Sequence, residues 1–477
     1  MESSIDQTGR SYSRFWFILT LLTGTFTMSI SQSSLSTAYP TLMKSFGISA
    51  STVQWLTTGF MLVMCVSMPI SPWLLNNLSF KKMFVLALAL FDLGTLMIIC
   101  TPVSWGAAGF WFMMVGRTAE AFAVGVLFPS YQTVLLEITP KEKRGTTMGI
   151  AGLVMGSALA CGPIISGIVL KFFTWKAIFV FFVCVITVVL ILAQTGLIRD
   201  VMVRKPNQLD WLSVFLLLGL IGLMEVIDQL GKNGVNWSLN LVIFVVSLAM
   251  LAWFITRQFK QERPLLQLRV LLTFNYDLAI LLTSISYIAL IVTTIIFPLY
   301  YQGVLGVSPF VSGMSLVPGA VFLSLLNPLS GKLADKLGFK PTLLLGMAMI
   351  VLGWTAGRFV LDAQQLWAMI LVAMVIEGGN AFVMMPAVTL GANSLPNDLV
   401  SHGTAVITTI RQVLGSTGVA VATILLTTGT SHSLARGLSS KAAALSGYHL
   451  VFSTMIAVEI VGFILALILK NSAKQSE

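Results

Sequence analysis

The stretch Gly116-Arg117-Thr118-Ala119-Glu120 lies within an apolar run that extends from about Phe110 to Leu135. A hydrocarbon core of roughly 30 Å needs about 20 helical residues to cross it, so this run predicts a membrane-spanning helix. Arg117 and Glu120 are then charged residues inside the bilayer, and their spacing places them on one helix face, close enough to pair. A charge near the centre of a spanning helix costs about 2.5 to 3.5 kcal/mol, so it usually faces a partner or a wet cavity.

Two roles for these charges remain open. They can form a structural ion pair that ties one helix to its neighbours, or they can belong to a transport pathway, which intramembrane charges commonly mark. Composition favours transport, because 56% of the 477 residues are hydrophobic and only 10% are charged, with a mean hydropathy of +0.91. These values exclude a soluble protein of this length and predict a polytopic membrane protein.

The net charge of +10 does not indicate nucleic-acid binding, because the basic residues lie in short pieces between apolar runs. The four cysteines fall in apolar runs without a CxxC pair, which supports neither a zinc site nor a disulfide framework. We therefore expect no metal, no cofactor and no nucleic-acid partner.

Fourteen apolar runs follow one another along the chain, which predicts an all-α polytopic membrane protein. Their approximate spans are 15–37, 53–75, 83–101, 109–136, 146–170, 175–198, 209–230, 238–258, 274–301, 309–331, 342–361, 365–391, 403–430 and 448–470. An even number of runs places both termini on one side. Nineteen Lys and Arg residues fall on that side and seven on the other, so the positive-inside rule predicts cytoplasmic termini and a multi-pass protein of the cell membrane.

An internal repeat appears at a shift of 259 residues, which superposes Phe80 on Phe339 and Lys81 on Lys340. Runs 1 to 6 and 9 to 14 therefore form two like-oriented halves, with runs 7 and 8 inserted between them. Transporters built from such parallel halves bind substrate between the halves, near the bilayer midplane. The predicted units are an N-terminal six-helix bundle at 1–200, an inserted helix pair at 201–262 and a C-terminal six-helix bundle at 263–477.

Three motifs resemble a known family. The segment Gly331–Lys340, GKLADKLGFK, resembles the loop signature of the major facilitator superfamily, and Gly116-Arg117 followed by Glu120 is similar to the fourth-helix signature of its proton-coupled members. The fifth run has a glycine and proline pattern similar to that of antiporters. Its residues are Gly152, Gly156, Ala160, Gly162, Pro163 and Gly167.

The run count and the segments 298–302 and 402–412 resemble the fourteen-helix drug:proton antiporter branch, and the segments 54–62 and 384–386 are closer still to Gram-positive lincomycin-resistance exporters. The resemblance covers nearly the whole chain. It implies a major facilitator fold with 14 transmembrane helices arranged 6+2+6, and a transporter rather than an enzyme.

The chain departs from this branch at four positions. Ser31 stands where the first helix usually carries an aspartate, and Glu120 stands where the family commonly has glutamine. Asn76 and Ser79 replace the Asp and Gly expected after the second helix. An acid lost from the first helix and one gained in the fourth suggest that the proton site has moved.

The candidate proton-coupling residues are ranked on that basis. Glu120 comes first, because its affinity for a proton changes when the pair with Arg117 separates. Glu377 comes second, since the repeat carries it to the level of residue 118, although it can instead contact substrate. Asp92, like Glu459, lies midway along a run expected to be peripheral, and Arg411 is a candidate partner.

The candidate gating residues lie in two places. In the fifth run, small residues recur every four positions and favour close helix contact, while proline interrupts the hydrogen-bond ladder beyond them. In the loop at 331–340, Asp335 can accept hydrogen bonds from helix N-terminal amides and hold one state of the transport cycle. Ordinary packing, and for the lysines a purely topological role, are the alternatives. The predicted gating set is Gly156, Gly162, Pro163, Gly331, Asp335, Lys336 and Gly338.

A substrate is expected to meet polar groups set among Met and Phe side chains, which suit an adaptable apolar site but are equally common in membrane cores. The predicted substrate-binding set is Gln32, Ser36, Gln132, Tyr300, Gln302, Asn327 and Asn380.

These observations predict a monomeric antiporter that uses protons to export a small hydrophobic or amphipathic compound, as in multidrug efflux and antibiotic resistance. The alternative is a lipid or lipid-precursor flippase without proton coupling or drug specificity. A receptor or scaffold is less favoured, because no soluble domain extends beyond short loops. The sequence has no GxxxxGK[ST] loop, so ATP-driven pumping is not supported.

Overall fold

The structure is a computed structural model, and it describes residues 3–7, 9–229 and 235–470. Within these residues, twelve helical stretches are long and apolar enough to cross a membrane. The helices of the first half are α1 Arg14–Ser34, α2 Tyr39–Phe46, α3 Ala50–Val53, α4 Trp55–Ser67, α5 Ser71–Asn77, α6 Phe80–Ile99, α7 Ala107–Glu137, α8 Arg144–Phe172 and α9 Lys176–Leu192.

Three helices connect the halves, and seven form the second half. The connecting helices are α10 Trp211–Leu216, α11 Leu218–Gln229 and α12 Trp237–Lys260. Those of the second half are α13 Phe274–Gly303, α14 Pro309–Met314, α15 Val317–Leu337, α16 Phe339–Val360, α17 Leu366–Asn393, α18 Val400–Ala435 and α19 Ser440–Ile468. The twelve candidate spans match twelve of the fourteen predicted runs.

The other two predicted runs also form helices. α1 has 21 residues, but its many Ser and Thr side chains keep it outside the twelve most apolar stretches. The stretch Trp211–Ile227, which comprises α10 and most of α11, is apolar but shorter than the others.

A short β-hairpin precedes the first helix of this otherwise all-helical fold. Strands β1 (Ser3–Ile5) and β2 (Ser11–Ser13) pair antiparallel. Strands of three residues are too short to produce a periodic hydrophobic pattern, so sequence periodicity could not indicate them. The amide of Gln7 donates to the Asp200 carbonyl (2.9 Å), and the amide of Lys81 donates to the Asp200 carboxylate (3.2 Å). The hairpin therefore lies at the end of the bundle where α6 begins.

The end of α19 lies beside the corresponding loop of the second half. Lys340, at the start of α16, donates through Nζ to the carbonyl of Leu469 (2.8 Å), just after α19. A cation at this place satisfies a free carbonyl and complements the helix dipole. We call this end of the bundle, which holds the start of α6, the start of α8 and the start of α16, the termini end.

Helices of both halves cross in the same way at positions that differ by 259 residues. A Cβ on Gly94 of α6 would lie 2.5 Å from the Gly116 carbonyl oxygen of α7, and one on Gly353 of α16 would lie 2.6 Å from Ile376 of α17. Each glycine allows its helix to approach the neighbouring backbone closely. The crossing at Gly94 also places α6 against the amide of Glu120.

The halves meet along two seams. In the α8–α15 seam, α8 packs along α15 and also touches α17. In the α18 seam, α18 packs against α4, α5 and α7 of the first half. α11 packs against both α4 and α18, so the inserted helices cover the α18 seam.

The α8–α15 seam is built from glycines. A Cβ on Gly149 would lie 2.5 Å from the Asn327 carbonyl oxygen, and a Cβ on Gly156 would lie 2.5 Å from Leu323 Cδ2. Gly145 and Gly152 occupy the same helix face, since residues three and four apart lie above one another. The close contact therefore extends along the half of α8 nearest the termini end.

Candidate functional site

The charged residues of α7 form a buried ion pair. Arg117 Nη1 contacts Glu120 Oε2 directly, and the two side chains are 1% and 0% exposed. The spacing of three therefore produces the contact that the sequence predicted. Because α7 is surrounded by other helices at this level, both charges lie inside the first half.

Three neighbouring helices complete the surroundings of this pair. Thr95 of α6 donates to Glu120 Oε1 (2.7 Å), and Arg117 donates to Ser31 Oγ of α1 (3.0 Å). The Phe60 ring of α4 lies 4.3 Å from the guanidinium carbon, a cation–π distance. The pair thus connects α1, α4, α6 and α7.

Ser31 explains one departure from the family pattern. Its hydroxyl donates to Glu120 Oε2 (3.4 Å) and accepts from Arg117, so it bridges the two charges. With serine in α1, the negative charge beside Arg117 comes from Glu120 on the same helix as the arginine. The acid expected at position 31 is therefore replaced by Glu120 of α7, whose carboxylate accepts a hydrogen bond from the Ser31 hydroxyl.

Glu377 of α17 is a buried acid that, unlike Glu120, is not paired with any of the described residues. Its side chain is 2% exposed, and no hydrogen bond or ion pair to it occurs among the described residues. Its carboxyl carbon lies 2.8 Å from the position of a Cβ on Gly319, near the start of α15. The Tyr301 hydroxyl of α13 is within electrostatic range of Glu377, and it too has no hydrogen-bond partner in the part of the chain that the structure describes.

The two acids expected to be peripheral lie within single halves. Asp92 of α6 accepts from Thr187 of α9 (3.1 Å), and its other oxygen has no partner among the described residues. Glu459 of α19 is fully buried, and neither oxygen is hydrogen-bonded in the described part. Arg411 of α18, a candidate partner for both, forms no ion pair with either one.

Three of the predicted substrate residues lie inside the bundle. Gln132 is fully buried and donates to the Tyr131 hydroxyl (3.3 Å). Asn327 faces Gly152 across the α8–α15 seam and donates to the Leu323 carbonyl (2.8 Å). Asn380 accepts a hydrogen bond from Ser286 of α13, so it ties α17 to α13 within the second half.

The remaining predicted substrate residues do not meet at one place. Tyr300 is buried in the second half, where its hydroxyl donates to the Leu361 carbonyl (2.7 Å) and its ring packs on Tyr448. Gln302 is exposed and donates to Ser312 (3.1 Å). Neither contact lies between the halves, because packing turned these side chains toward neighbouring helices of their own half. Gln32 is half-buried on α1, and the side chain of Ser36 lies outside the described residues.

Asp335 makes the contact that its sequence position indicated. Its carboxylate accepts from the amides of Gly145 (2.8 Å) and Thr146 (2.7 Å) and from the Thr146 hydroxyl (2.6 Å). These amides are the free donors at the N-terminus of α8, where a negative charge is favoured. Asp335 therefore joins the second half to the first at the termini end. Asn76, at the equivalent place in the first half, has no hydrogen bond among the described residues.

The other predicted gating residues lie in two places, the segment 331–340 and helix α8. Gly331 packs against the Gly145 backbone, and Gly338 ends α15 with a φ of +95° that favours glycine. Lys336 is exposed. Gly156 lies in the α8–α15 seam, whereas Gly162 packs against Ser33 of α1 within the first half.

α8 continues as a helix past Pro163, whose side chain lies outside the described residues.

Some contacts between the halves escaped the sequence analysis. Arg144 donates to Asn393 (2.8 Å), and the hydroxyls of Thr133 and Thr404 are 2.5 Å apart in the α18 seam. Gly145 and Gly149 extend the small-residue face of α8 toward the termini end, and their helical spacing was a readable signal. Within the second half, His402 accepts from the Gln267 amide (3.1 Å).

The sequence matches the family described as Major Facilitator Superfamily over residues 21–419 and 280–477. The chain belongs to the major facilitator superfamily. This confirms the resemblance found in the motifs at 116–120 and 331–340. A solved structure of the superfamily, that of the proton:xylose symporter XylE, covers 94% of this chain and 94% of its own, with a TM-score of 0.63 and 14% identity. Such low identity shows the common fold alone.

Two curated relatives within the superfamily align with most of the chain. The uncharacterized MFS-type transporter YcnB of Bacillus subtilis (strain 168) is 34% identical over 478 residues, which are 100% of this chain and 99% of that protein. The lincomycin resistance protein LmrB of Listeria innocua is 33% identical over 84% of this chain and 83% of that protein. The predicted likeness to lincomycin-resistance exporters is therefore confirmed.

Proposed function

We propose that the chain is a proton-coupled antiporter that exports hydrophobic or amphipathic compounds by alternating access. Relatives named for lincomycin resistance support efflux at the level of the family. In this proposal α1 and α10–α11 also span the membrane and complete fourteen spans, and the chain works as a monomer. The excess of Lys and Arg at the termini end supports a cytoplasmic position for both termini in the cell membrane.

The contacts between the halves support an alternating-access mechanism. At the termini end, Asp335 binds the start of α8, and glycines bring α8 and α15 together. Toward the other end of α8, a Cβ on Gly167 would have no atom within 4 Å. We interpret this arrangement as the conformation closed toward the cytoplasm, from which an exporter releases substrate outside.

The observation that carries proton coupling is the Glu377 carboxyl. An ionised carboxylate that is buried without a partner is very costly, whereas a protonated carboxyl is uncharged and tolerated. Glu377 contacts Gly319 of α15, the helix that forms the seam at its other end. Protonation of this one group is therefore connected directly to a helix that must move.

The first-ranked candidate, Glu120, is less suited to this role in the structure. It already has an arginine and two hydroxyl partners, and its side chain is fully buried within one half. Removing or adding a proton there requires the whole cluster to open. We assign Glu377 as the proton carrier, while the pair of Arg117 and Glu120 stabilises the first half.

A cycle follows from these assignments. Glu377 takes a proton while the protein is open to the outside, and the neutral side chain allows the halves to tilt and open to the cytoplasm. There the proton leaves as substrate binds, and the loaded protein returns to the outward-open conformation. Proton and substrate then occupy the protein in opposite halves of the cycle, which is antiport.

Reconstitution into proteoliposomes tests this function. Vesicles with an acidic lumen should accumulate at least one probe from a panel of neutral, cationic and anionic fluorescent amphipaths, through molecules inserted with their outer side facing the lumen. A protonophore should abolish the accumulation. Transport at the same rate with and without the pH gradient would contradict proton coupling and favour an uncoupled flippase.

A further inference from the structure

Arg411 of α18 is a buried cation without an ion-pair partner among the described residues. Its side chain is 4% exposed, and neither Nε nor Nη1 has a hydrogen-bond partner in the described part of the chain. Its guanidinium carbon lies 5.2 Å from the centre of the Tyr287 ring. An aromatic face stabilises a cation only partly, so the guanidinium still lacks an anion or an acceptor.

This arginine lies between the two halves. Tyr287 belongs to α13 of the second half, and Tyr131 of α7 in the first half lies within electrostatic range of the guanidinium. Thr404 of the same helix contacts Thr133 of α7, and Arg411 is about 10 Å further along α18 than Thr404. Arg411 therefore lies beyond the closed contact at the termini end, where a central substrate site is expected.

The ring beside Arg411 is held in place and partly accessible. Tyr287 donates through its hydroxyl to Gln412 Oε1 (3.1 Å) and is only half-buried. In the first half, Gln132 donates to the hydroxyl of Tyr131, the other ring near Arg411. Gln132 is fully buried, and its Oε1 has no partner among the described residues. The surroundings thus combine a free cation, two aromatic rings and a free amide oxygen.

The buried acids of the described chain do not neutralise Arg411. Glu120 already pairs with Arg117, and Glu459 keeps both oxygens unbonded on α19. Glu377 forms no ion pair either. Among the described residues no acid is therefore paired with Arg411, and an anion from outside the chain can complete its interactions.

We propose that Arg411, Tyr131 and Tyr287 form a subsite for the anionic group of an amphipathic substrate. The guanidinium donates two N–H groups to a carboxylate or sulfonate, the geometry in which arginine binds such groups most strongly. The tyrosine rings flank the apolar body of the ligand. This inference rests on the proposed export function and names its substrate class as aromatic or amphipathic anions.

Binding to the full chain in nanodiscs tests this subsite. The probes are naphthalene-2-sulfonate and its uncharged analogue naphthalene-2-sulfonamide, together with the larger pair pyrene-1-sulfonate and pyrene-1-sulfonamide, measured by calorimetry. We expect the unsubstituted protein to bind at least one sulfonate about tenfold or more tightly than its sulfonamide, as for a hydrogen bond to a charged group. Arg411→Gln should remove this preference, and Arg411→Lys should retain part of it.

The matched control is Arg358→Gln, because Arg358 lies on α16 beside Ser453 (3.4 Å), within the second half. It should leave the sulfonate preference unchanged. Equal binding of both members of each probe pair, or a preference that survives Arg411→Gln, would overturn the subsite. Chloride or phosphate that displaces the sulfonates at similar concentrations would overturn the assignment to amphipathic anions.

A second measurement separates this subsite from a structural role of Arg411. Because no hydrogen bond or ion pair is lost and methionine can still pack on the Tyr287 ring, Arg411→Met should leave the ligand-free melting temperature unchanged or raise it. A marked fall would overturn the subsite in favour of a structural contact. Sulfonate preference without pH-driven transport would refute only the proposed antiport, whereas pH-driven transport without sulfonate preference would refute only the subsite.

Discussion

The two halves carry their buried charges differently. In the first half, Arg117 and Glu120 neutralise each other and are surrounded by Ser31, Thr95 and Phe60. In the second half, Glu377 and Arg411 are buried without hydrogen bonds among the described residues. The helix arrangement is therefore alike in the two halves, but these buried charges are paired in the first half and unpaired in the second.

This difference has a physical interpretation. A satisfied buried pair stabilises one arrangement, because either charge alone would be left in a medium that solvates it poorly. An unsatisfied buried charge costs stability and persists where a proton or ligand completes it. Under the proposed mechanism, the first half serves as the rigid part of the protein, and the second half supplies the groups that change state.

The largest expected effect comes from breaking the pair in the first half. Arg117→Met or Glu120→Gln alone should destabilise the protein by about 3 to 5 kcal/mol, because each leaves an unpaired polar or charged group in the core. The double variant Arg117→Met/Glu120→Leu should recover most of that loss, since it removes both charges. Melting temperatures in detergent check this, and single variants as stable as the parent would show that the pair is not structural.

The next effect comes from the α8–α15 seam. A Cβ on Gly145 would lie 2.7 Å from the Gly331 carbonyl oxygen, so Gly145→Val should force the helices apart at a cost of about 1 to 3 kcal/mol. Transport should fall strongly, because the termini end can no longer close. Gly167→Val is the matched control on the same helix, since nothing lies within 4 Å of that position. Equal transport rates for the two variants would contradict a closing seam.

A smaller effect is expected at Asp335. Asp335→Asn keeps the size of the side chain but removes the negative charge from the start of α8, at a cost of about 1 to 2 kcal/mol to the closed conformation. Cysteines introduced beside Gly149 should therefore react faster with a membrane-permeant thiol reagent. Unchanged labelling would show that Asp335 does not hold the halves together. The same substitution at Asp362, which contacts His449 within the second half, serves as control.

The smallest effect is expected at the inserted helices. Asp210, just before α10, accepts from Arg257 Nε (2.7 Å) and Nη2 (3.0 Å), near the end of α12. Burial raises the pKa of its carboxyl, but hydrogen bonds from Arg257, Ser213 and Gln261 outweigh burial and lower the pKa well below its ordinary value. A lowered pKa contributes stability above the unfolded-state value of about 4, and this contribution is lost as the pH falls toward the folded-state value.

Asp210→Asn should therefore lower the melting temperature slightly at neutral pH. The difference from the parent should shrink as the pH is lowered below about 4. Melting curves across this range check the prediction, and a difference that grows in acid would contradict it.

The sequence predicted the features that depend on local spacing and motifs. Hydrophobic runs predicted the membrane helices, and the spacing of Arg117 and Glu120 predicted their contact. The loop motif predicted that Asp335 accepts hydrogen bonds from the N-terminal amides of a neighbouring helix. The small-residue face of α8 was recognised at Gly152 and Gly156 but extends to Gly145, four positions before Gly149. The same periodicity would have revealed the whole seam.

Features that depend on tertiary packing were not predictable in this way. Tyr300 faces Leu361 and Tyr448 inside the second half because of how α13 packs on α16 and α19, which its own helix does not determine. Likewise, nothing local to Arg411 indicates that it lacks a partner. Whether a buried charge is paired depends on helices far apart in the chain, so the proposal that Glu377 rather than Glu120 carries the proton depends on the structure.

We propose that Glu377, the unpaired acid of the second half, carries the proton. The test measures pH-driven accumulation in proteoliposomes by Glu377→Gln, with Glu459→Gln as the matched buried acid on α19, which packs against α13, α16 and α18 of its own half. We expect Glu377→Gln to lose gradient-driven accumulation while it still exchanges substrate down a concentration gradient, and Glu459→Gln to keep both. Undiminished gradient-driven accumulation by a folded Glu377→Gln protein would contradict the role of Glu377 as the proton carrier.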